Sequence, residues 1–221
     1  MKYRSAFDII GPVMIGPSSS HTAGAAKIGR TARTIFGKQP SLAVISLYGS
    51  FAKTYKGHGT DLALIAGLLD FDTFDERIPD AYKWAEEAAM EVKFIVEEAI
   101  VEHPNTVKIN LFDEADKKLE IVGISIGGGT IEITEINSFK LKLTGGQPTI
   151  LVIHKDKFGL ISSVTSVLAK YKINISHMEV SRKERGDMAI MVIEMDQNLD
   201  DGVVEELSSL PNVNQIIRMD N

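Results

Sequence analysis

TILVIHKDKFGLISSVTSVLAKYKINI, residues 149–175, changes its hydrophobic rhythm twice. The opening TILVIHK is a near-continuous apolar run of strand length, and DKFG turns the chain. Leu160, Ile161, Val164, Val167, Leu168 and Tyr171 then recur on one side of a helix. INISHMEVSRK and DMAIMVIEMD follow as two strands around ERGD, and a helix over about 200–209 leads to a last strand, VNQIIRM. The order βαββαβ is the ferredoxin-like plan, and it places a second domain at residues 148–221.

Upstream the pattern differs. Ala25, Ile28, Gly29, Ala32 and Phe36 predict a helix over about 22–36 with a face of small residues. SLAVISLYGS (41–50) reads as a buried strand, and a helix is expected over roughly 60–69. After Pro79 the stripe Trp84, Ala88, Val92, Ile95, Val96 and Ala99 predicts one long helix, with Glu86, Glu87, Glu91, Glu97 and Glu98 on a solvated face. TVKINLF, KLEIVGISI and TIEITEIN alternate as strands, with GGGT (127–130) closing a hairpin. SFKLKL adds a short edge strand, and TGGQP begins a linker at 144–147. The expected architecture is α+β: an N-terminal domain over 1–143, helices on a mainly antiparallel sheet, followed by the ferredoxin-like module.

Composition bounds the function. The chain has 221 residues, 44% hydrophobic and 24% charged, with no cysteine. Disulfides and thiolate metal sites within this chain are therefore excluded. The net charge of −6 is even: residues 1–147 hold 16 basic and 19 acidic side chains, residues 148–221 hold 8 and 11. No block of either sign draws nucleic acid or an anionic membrane. Asp8, Pro12 and Pro17 interrupt the apolar N-terminus, a poor signal peptide, and no window offers the ~20 apolar residues of a spanning helix. A soluble, cytoplasmic protein that binds small molecules in a pocket is expected.

IGPSSSHTAGAA (15–26) carries the first candidate site. A serine hydrolase reading is weak, because Ser20 and His21 are sequence neighbours whose side chains diverge, and no nucleophile elbow is present. A helix cap is the plain alternative, with Ser20 or Thr22 accepting a backbone N–H. Capping needs one hydroxyl, whereas Ser18, Ser19, Ser20 and Thr22 surround an imidazole. Hydroxyls, free N–H groups and a helix dipole together make an anion site. YKGHGTD (55–61) sets a second histidine, His58, before a helix, with Thr60 or Asp61 as possible cap. Two such loops, converging, would form one mouth. His103, His154 and His177 read as surface or packing residues. GGGT lies in a hairpin and lacks the lysine of a phosphate loop.

Two resemblances sharpen these expectations. The strand ending in Asp156, then Phe158, Gly159, Leu160 and Ile161, a helix with Val164 and Leu168, and Ile173-Asn174-Ile175 resemble the ACT domain family. ACT domains are ligand sensors that pair through their sheets. The resemblance implies an effector site at Asp156, Phe158, Gly159, Leu160 and Asn174, and self-association. GPSSSHTAGAAKIGR and YGSFAKTYKGHGTDLALIAG closely resemble the β domain of iron–sulfur L-serine dehydratases. With the ACT module, the whole chain is similar to the separate β chain of the bacterial two-subunit form. That resemblance implies conversion of L-serine to pyruvate and ammonia, beside an α chain that holds a [4Fe–4S] cluster through its own cysteines. His21 and His58 are then the catalytic candidates. Ser18, Ser19, Ser20 and Thr22, with Gly59 and Thr60 of the second loop, are the substrate or anion site. A non-catalytic amino-acid or anion sensor is the competing reading.

Overall fold

A computed structural model describes residues 12–220, so most of the N-terminal stretch judged against a signal peptide lies outside them. The chain divides into two compact units, one through Ser138 and one from Phe139.

The first unit begins with a π-helical turn, Ser19–Ala23, that runs directly into α1, Gly24–Phe36. Gly37, in the left-handed region at φ 81°, ends α1 and returns its N–H to the carbonyl of Arg33. β1 (Leu42–Leu47), α2 (Gly49–Thr54) and α3 (Thr60–Leu68) follow. α3 buries Thr60, Asp61 and every residue from Ala63 to Leu68, which demands close neighbours on most sides. α1 meets it backbone to backbone. A Cβ on Gly29 would stand 2.5 Å from the carbonyl oxygen of Leu64, and one on Gly67 2.1 Å from that of Ala26. The small-residue face read from the sequence is thus the crossing of two helices.

The long helix expected after Pro79 is not formed. α4 is only Ala81–Glu87, and Glu91–Val96 is a strand, β2, parallel to β1 from Leu42↔Glu91 to Leu47↔Val96. Ala89 turns the chain at φ 51°, a conformation that no helix interior tolerates. Val92, Ile95 and Val96 had fitted a helical stripe, but β-branched residues also suit a pleated edge beside β1. The Glu91, Glu97 and Glu98 assigned to a helix face belong to this strand and its exit. β3 (Thr106–Phe112), β4 (Lys118–Gly127) and β5 (Thr130–Ile136) complete the order β2-β1-β3-β4-β5, antiparallel after the first pair. Gly127 to Gly129 all take positive φ in the β4–β5 turn. α1 packs on β4 and β5, with Ile28 against Gly123.

The second unit starts with β6, Phe139–Leu143, so the first unit ends at Ser138, five residues before the boundary expected at 143. The strand packs against β8 and β9 of this unit. β7 (Thr149–Lys155), α5 (Leu160–Lys170), β8 (Ile175–Arg182), β9 (Met188–Met195), α6 (Asp201–Ser208) and β10 (Val213–Met219) follow the βαββαβ order. The sheet order is β10-β7-β9-β8, antiparallel throughout. Val164 and Leu168 of α5 and Val203 and Leu207 of α6 close over Ile150, Val152, Met191 and Ile193. Among the described residues no helix is long and apolar enough to cross a membrane.

Candidate functional site

The site is built at the start of α1. Ser18, in extended conformation, accepts the backbone N–H of His21 on its hydroxyl at 3.2 Å, so Ser18 caps the turn and neither Ser20 nor Thr22 does. Capping by Ser18 frees the others. Ser20 Oγ lies 3.1 Å from His21 Nδ1 and Ser18 Oγ 3.3 Å from Ser20 Oγ. Ser19 contributes its carbonyl, which accepts the N–H of Gly24. Thr22 is buried and donates its hydroxyl to the carbonyl of His58 at 3.3 Å, a bond that ties the two loops together.

That tie brings the two imidazoles side by side. The His21 and His58 ring centroids are 4.8 Å apart at 58°, and Phe51 meets His21 edge-on at 5.3 Å. His58 Nδ1 is shielded from solvent without a hydrogen-bond partner. The opposite edge of His21 is held by a residue the sequence reading did not single out: Nε2 lies 3.0 Å from Ser50 Oγ. Ser50 stands 29 positions away, in the first turn of α2. Its signal lay in plain view within the YGSFAK motif, but a serine there carries no mark of its target. Burial, and then the neighbouring His58, push the His21 pKa below its ordinary value. The shift favours the neutral imidazole of His21 at neutral pH.

The second loop differs from its expected capping. Gly59, left-handed at φ 67°, takes the N-cap position of α3, with no side chain serving it. Thr60 is fully buried with its hydroxyl unpartnered. Asp61, largely buried, instead accepts the Tyr82 hydroxyl at 3.1 Å, which ties α3 to α4. Desolvation, then the Asp61 charge, raises the Tyr82 pKa. Thr60 and Asp61 thus secure the loop from below, while His58 projects from it.

In the second unit the implied effector residues are spread over separate bonds. Gly159 turns left-handed at φ 85° into α5, and Leu160 enters the core. Phe158 stands fully out in solvent. Asp156 accepts Arg182 at 2.9 Å and the N–H of Gly186 at 3.1 Å, and those bonds, Gly186 first, lower its pKa. Asn174 donates to Asp196 at 2.6 Å, and no bond joins it to the turn. His154 is buried with Nδ1 on the carbonyl of Lys155, and His177 is exposed. His103 accepts the N–H of Asn105.

An iron–sulfur cluster does not fit the residues of this chain. There is no cysteine, and among the described residues no group of three or more His, Asp or Glu could hold a metal.

Comparison with known proteins extends the picture. The serine dehydratase beta chain family profile matches residues 5–84, and the ACT domain profile matches residues 148–212. The chain is 62% identical over 219 residues to the probable L-serine dehydratase, beta chain, of Bacillus subtilis, covering 99% of both chains. It is 37% identical to the L-serine dehydratase, beta chain, of Peptoniphilus asaccharolyticus, covering 88% of each. A shorter similarity, 37% over 81 residues and 15% of its length, links it to a D-3-phosphoglycerate dehydrogenase of Bacillus subtilis.

Proposed function

We propose that this chain, which belongs to the L-serine dehydratase beta-chain family, furnishes the proton-handling half of a site that turns L-serine into pyruvate and ammonia. The observation that carries the proposal is the pair of imidazoles at 4.8 Å, ringed by the hydroxyls of Ser18, Ser20 and Ser50. A sensor of anions needs cations or N–H donors and gives no reason to set two imidazoles side by side.

The chemistry follows from the acidity of the substrate. The Cα proton of serine is weakly acidic, so a positioned base is required, and such help is worth roughly 10²–10⁴-fold. His21 is hydrogen-bonded at both nitrogens, whereas His58 Nδ1 has no hydrogen-bond partner among the described residues. His58 therefore takes the proton, and His21 stands beside it as a neutral ring. As the Cα–H bond breaks, its electron pair forms the Cα=Cβ bond and the β-hydroxyl leaves, taking up a proton as water. Aminoacrylate remains, tautomerises to the imine and hydrolyses to pyruvate and ammonia. The first N–H groups of a helix have no partner within it. Ser18 takes that of His21, and the amides of Ser19 and Ser20 hold the substrate carboxylate at the positive end of the dipole.

A companion α chain brings the [4Fe–4S] cluster, since this chain has no ligands for it; expulsion of the hydroxyl belongs to that chain. The ACT module is the regulatory part. It binds an amino-acid effector, with serine the natural candidate, at the Asp156–Leu160 turn and Asn174, and it self-associates through its sheet. The assembled enzyme works in the cytoplasm.

The test is co-expression of His21→Ala and His58→Ala chains with the α chain, followed by pyruvate formation from serine. Each variant is expected to lose at least ~10²-fold in kcat while melting like the wild type, and the chain without its companion is expected to be inactive. Wild-type turnover in both variants would refute the proposal.

A further inference from the structure

His21 is gripped at both ring nitrogens. Ser18 Oγ accepts the backbone N–H of His21 at 3.2 Å and lies 3.3 Å from Ser20 Oγ and 3.5 Å from His21 Nδ1. Ser20 Oγ lies 3.1 Å from the same ring nitrogen. A neutral imidazole donates at one nitrogen and accepts at the other. Ser50 Oγ, 3.0 Å from Nε2, therefore completes a run of hydrogen bonds through the ring, and its loss would leave one end of that run without a partner.

Ser50 is unusually well anchored for a hydroxyl on a six-residue helix. Its N–H donates to the carbonyl of Pro104 at 2.6 Å, and its own carbonyl accepts the Thr54 hydroxyl at 2.9 Å. The next residue, Phe51, is fully buried and sets its ring edge against His21. A flip of the imidazole would exchange nitrogens for carbons and break the bonds to Ser20 and Ser50 together.

We infer that Ser50 is a positioning residue of the proton-handling pair: by holding Nε2 it fixes the ring plane of His21, and so the face that His21 turns to His58. This rests on the catalytic reading of the two histidines. Ser50 acts through His21, so its loss slows the chemical step and leaves substrate affinity nearly unchanged.

The experiment uses the full chain with Ser50→Ala and Ser50→Thr. Nitrogen-15 histidine spectra of the chain at ~pH 8, where imidazole is neutral, report the tautomer, with His21→Ala identifying the signal. Kinetics of the same variants are measured with the α chain. Wild type and Ser50→Thr are expected to hold His21 in one and the same tautomer. Ser50→Ala is expected to change that tautomer balance and to lose about 10–100-fold in kcat, the range found for groups that orient metal-bound histidines, with KM little changed. A tautomer balance unmoved in Ser50→Ala, or Ser50→Thr as slow as Ser50→Ala, overturns the inference. The tautomer readout needs no turnover. A failed catalytic reading, seen as full activity of His21→Ala, is therefore distinguishable from failed positioning, seen as an unmoved tautomer.

Discussion

Replacing Gly67 by alanine tests the crossing that carries both histidine loops. The added Cβ would meet the Ala26 carbonyl oxygen at 2.1 Å and the Arg30 amide nitrogen at 2.7 Å. The first contact is more than about 1 Å inside the ~3.5 Å at which heavy atoms attract, and both partners are helix backbone, which cannot swing aside as a side chain does. Overpacking of this kind costs about 1–3 kcal/mol, and rigid neighbours put the cost at the upper end. Alanine returns about 1 kcal/mol as the better helix former. The net loss is about 2 kcal/mol, or roughly 4–8 °C in Tm for a chain of this length. Gly202→Ala is the control. It lies in α6 with nothing within 4 Å of its Cβ position, so only the helix gain of about 0.5–1 kcal/mol applies. Calorimetry of the full chain reads both variants. A Gly67→Ala chain melting at or above the wild-type temperature would refute the close-approach account of α1 and α3.

Three further outcomes are expected. The His21 pKa is depressed by burial and by His58, so its ring in the isolated chain titrates below the ordinary 6.5, and His58→Ala moves that titration upward; an NMR titration that finds no upward movement removes His58 as a cause. The same depression sets the sign for stability. The unfolded chain takes up the His21 proton first, so this contribution is complete above pH 6.5 and is lost as pH falls from there through the lower folded value. Tyr82→Phe withdraws the hydroxyl from the largely buried Asp61 carboxylate and is expected to cost about 1–2 kcal/mol, visible as a lower urea midpoint; an unchanged midpoint would mean that solvent replaces the bond.

Legibility in the sequence followed the range of the forces involved. The second unit was readable because its elements declare their type locally, from the apolar run of β7 and the stripe of Val164 and Leu168 on α5 to the strands around ERGD. The segment after Pro79 misled because Val92, Ile95 and Val96 satisfy a helical and a pleated period equally. What separates the two is β1, a non-local partner that offers an unpaired edge. Capping was misassigned by two or four residues in the first loop and by one or two in the second; Ser18, Ser20 and Thr22 are chemically near-equal, and backbone geometry alone chooses among them.

Local chemistry alone determined the two-part α+β plan, the thiol-free character that denies this chain a cluster, and the two imidazole-bearing loops. These are properties of residue type and near spacing, and they survive any rearrangement of distant parts. Only tertiary structure decided that α1 and α3 cross tightly enough to hold those rings 4.8 Å apart, and that Ser50 closes on the far side of His21. Distances between residues 29 or 37 positions apart depend on how helices pack, and packing is settled by the excluded volume of side chains such as the missing Cβ atoms of Gly29 and Gly67.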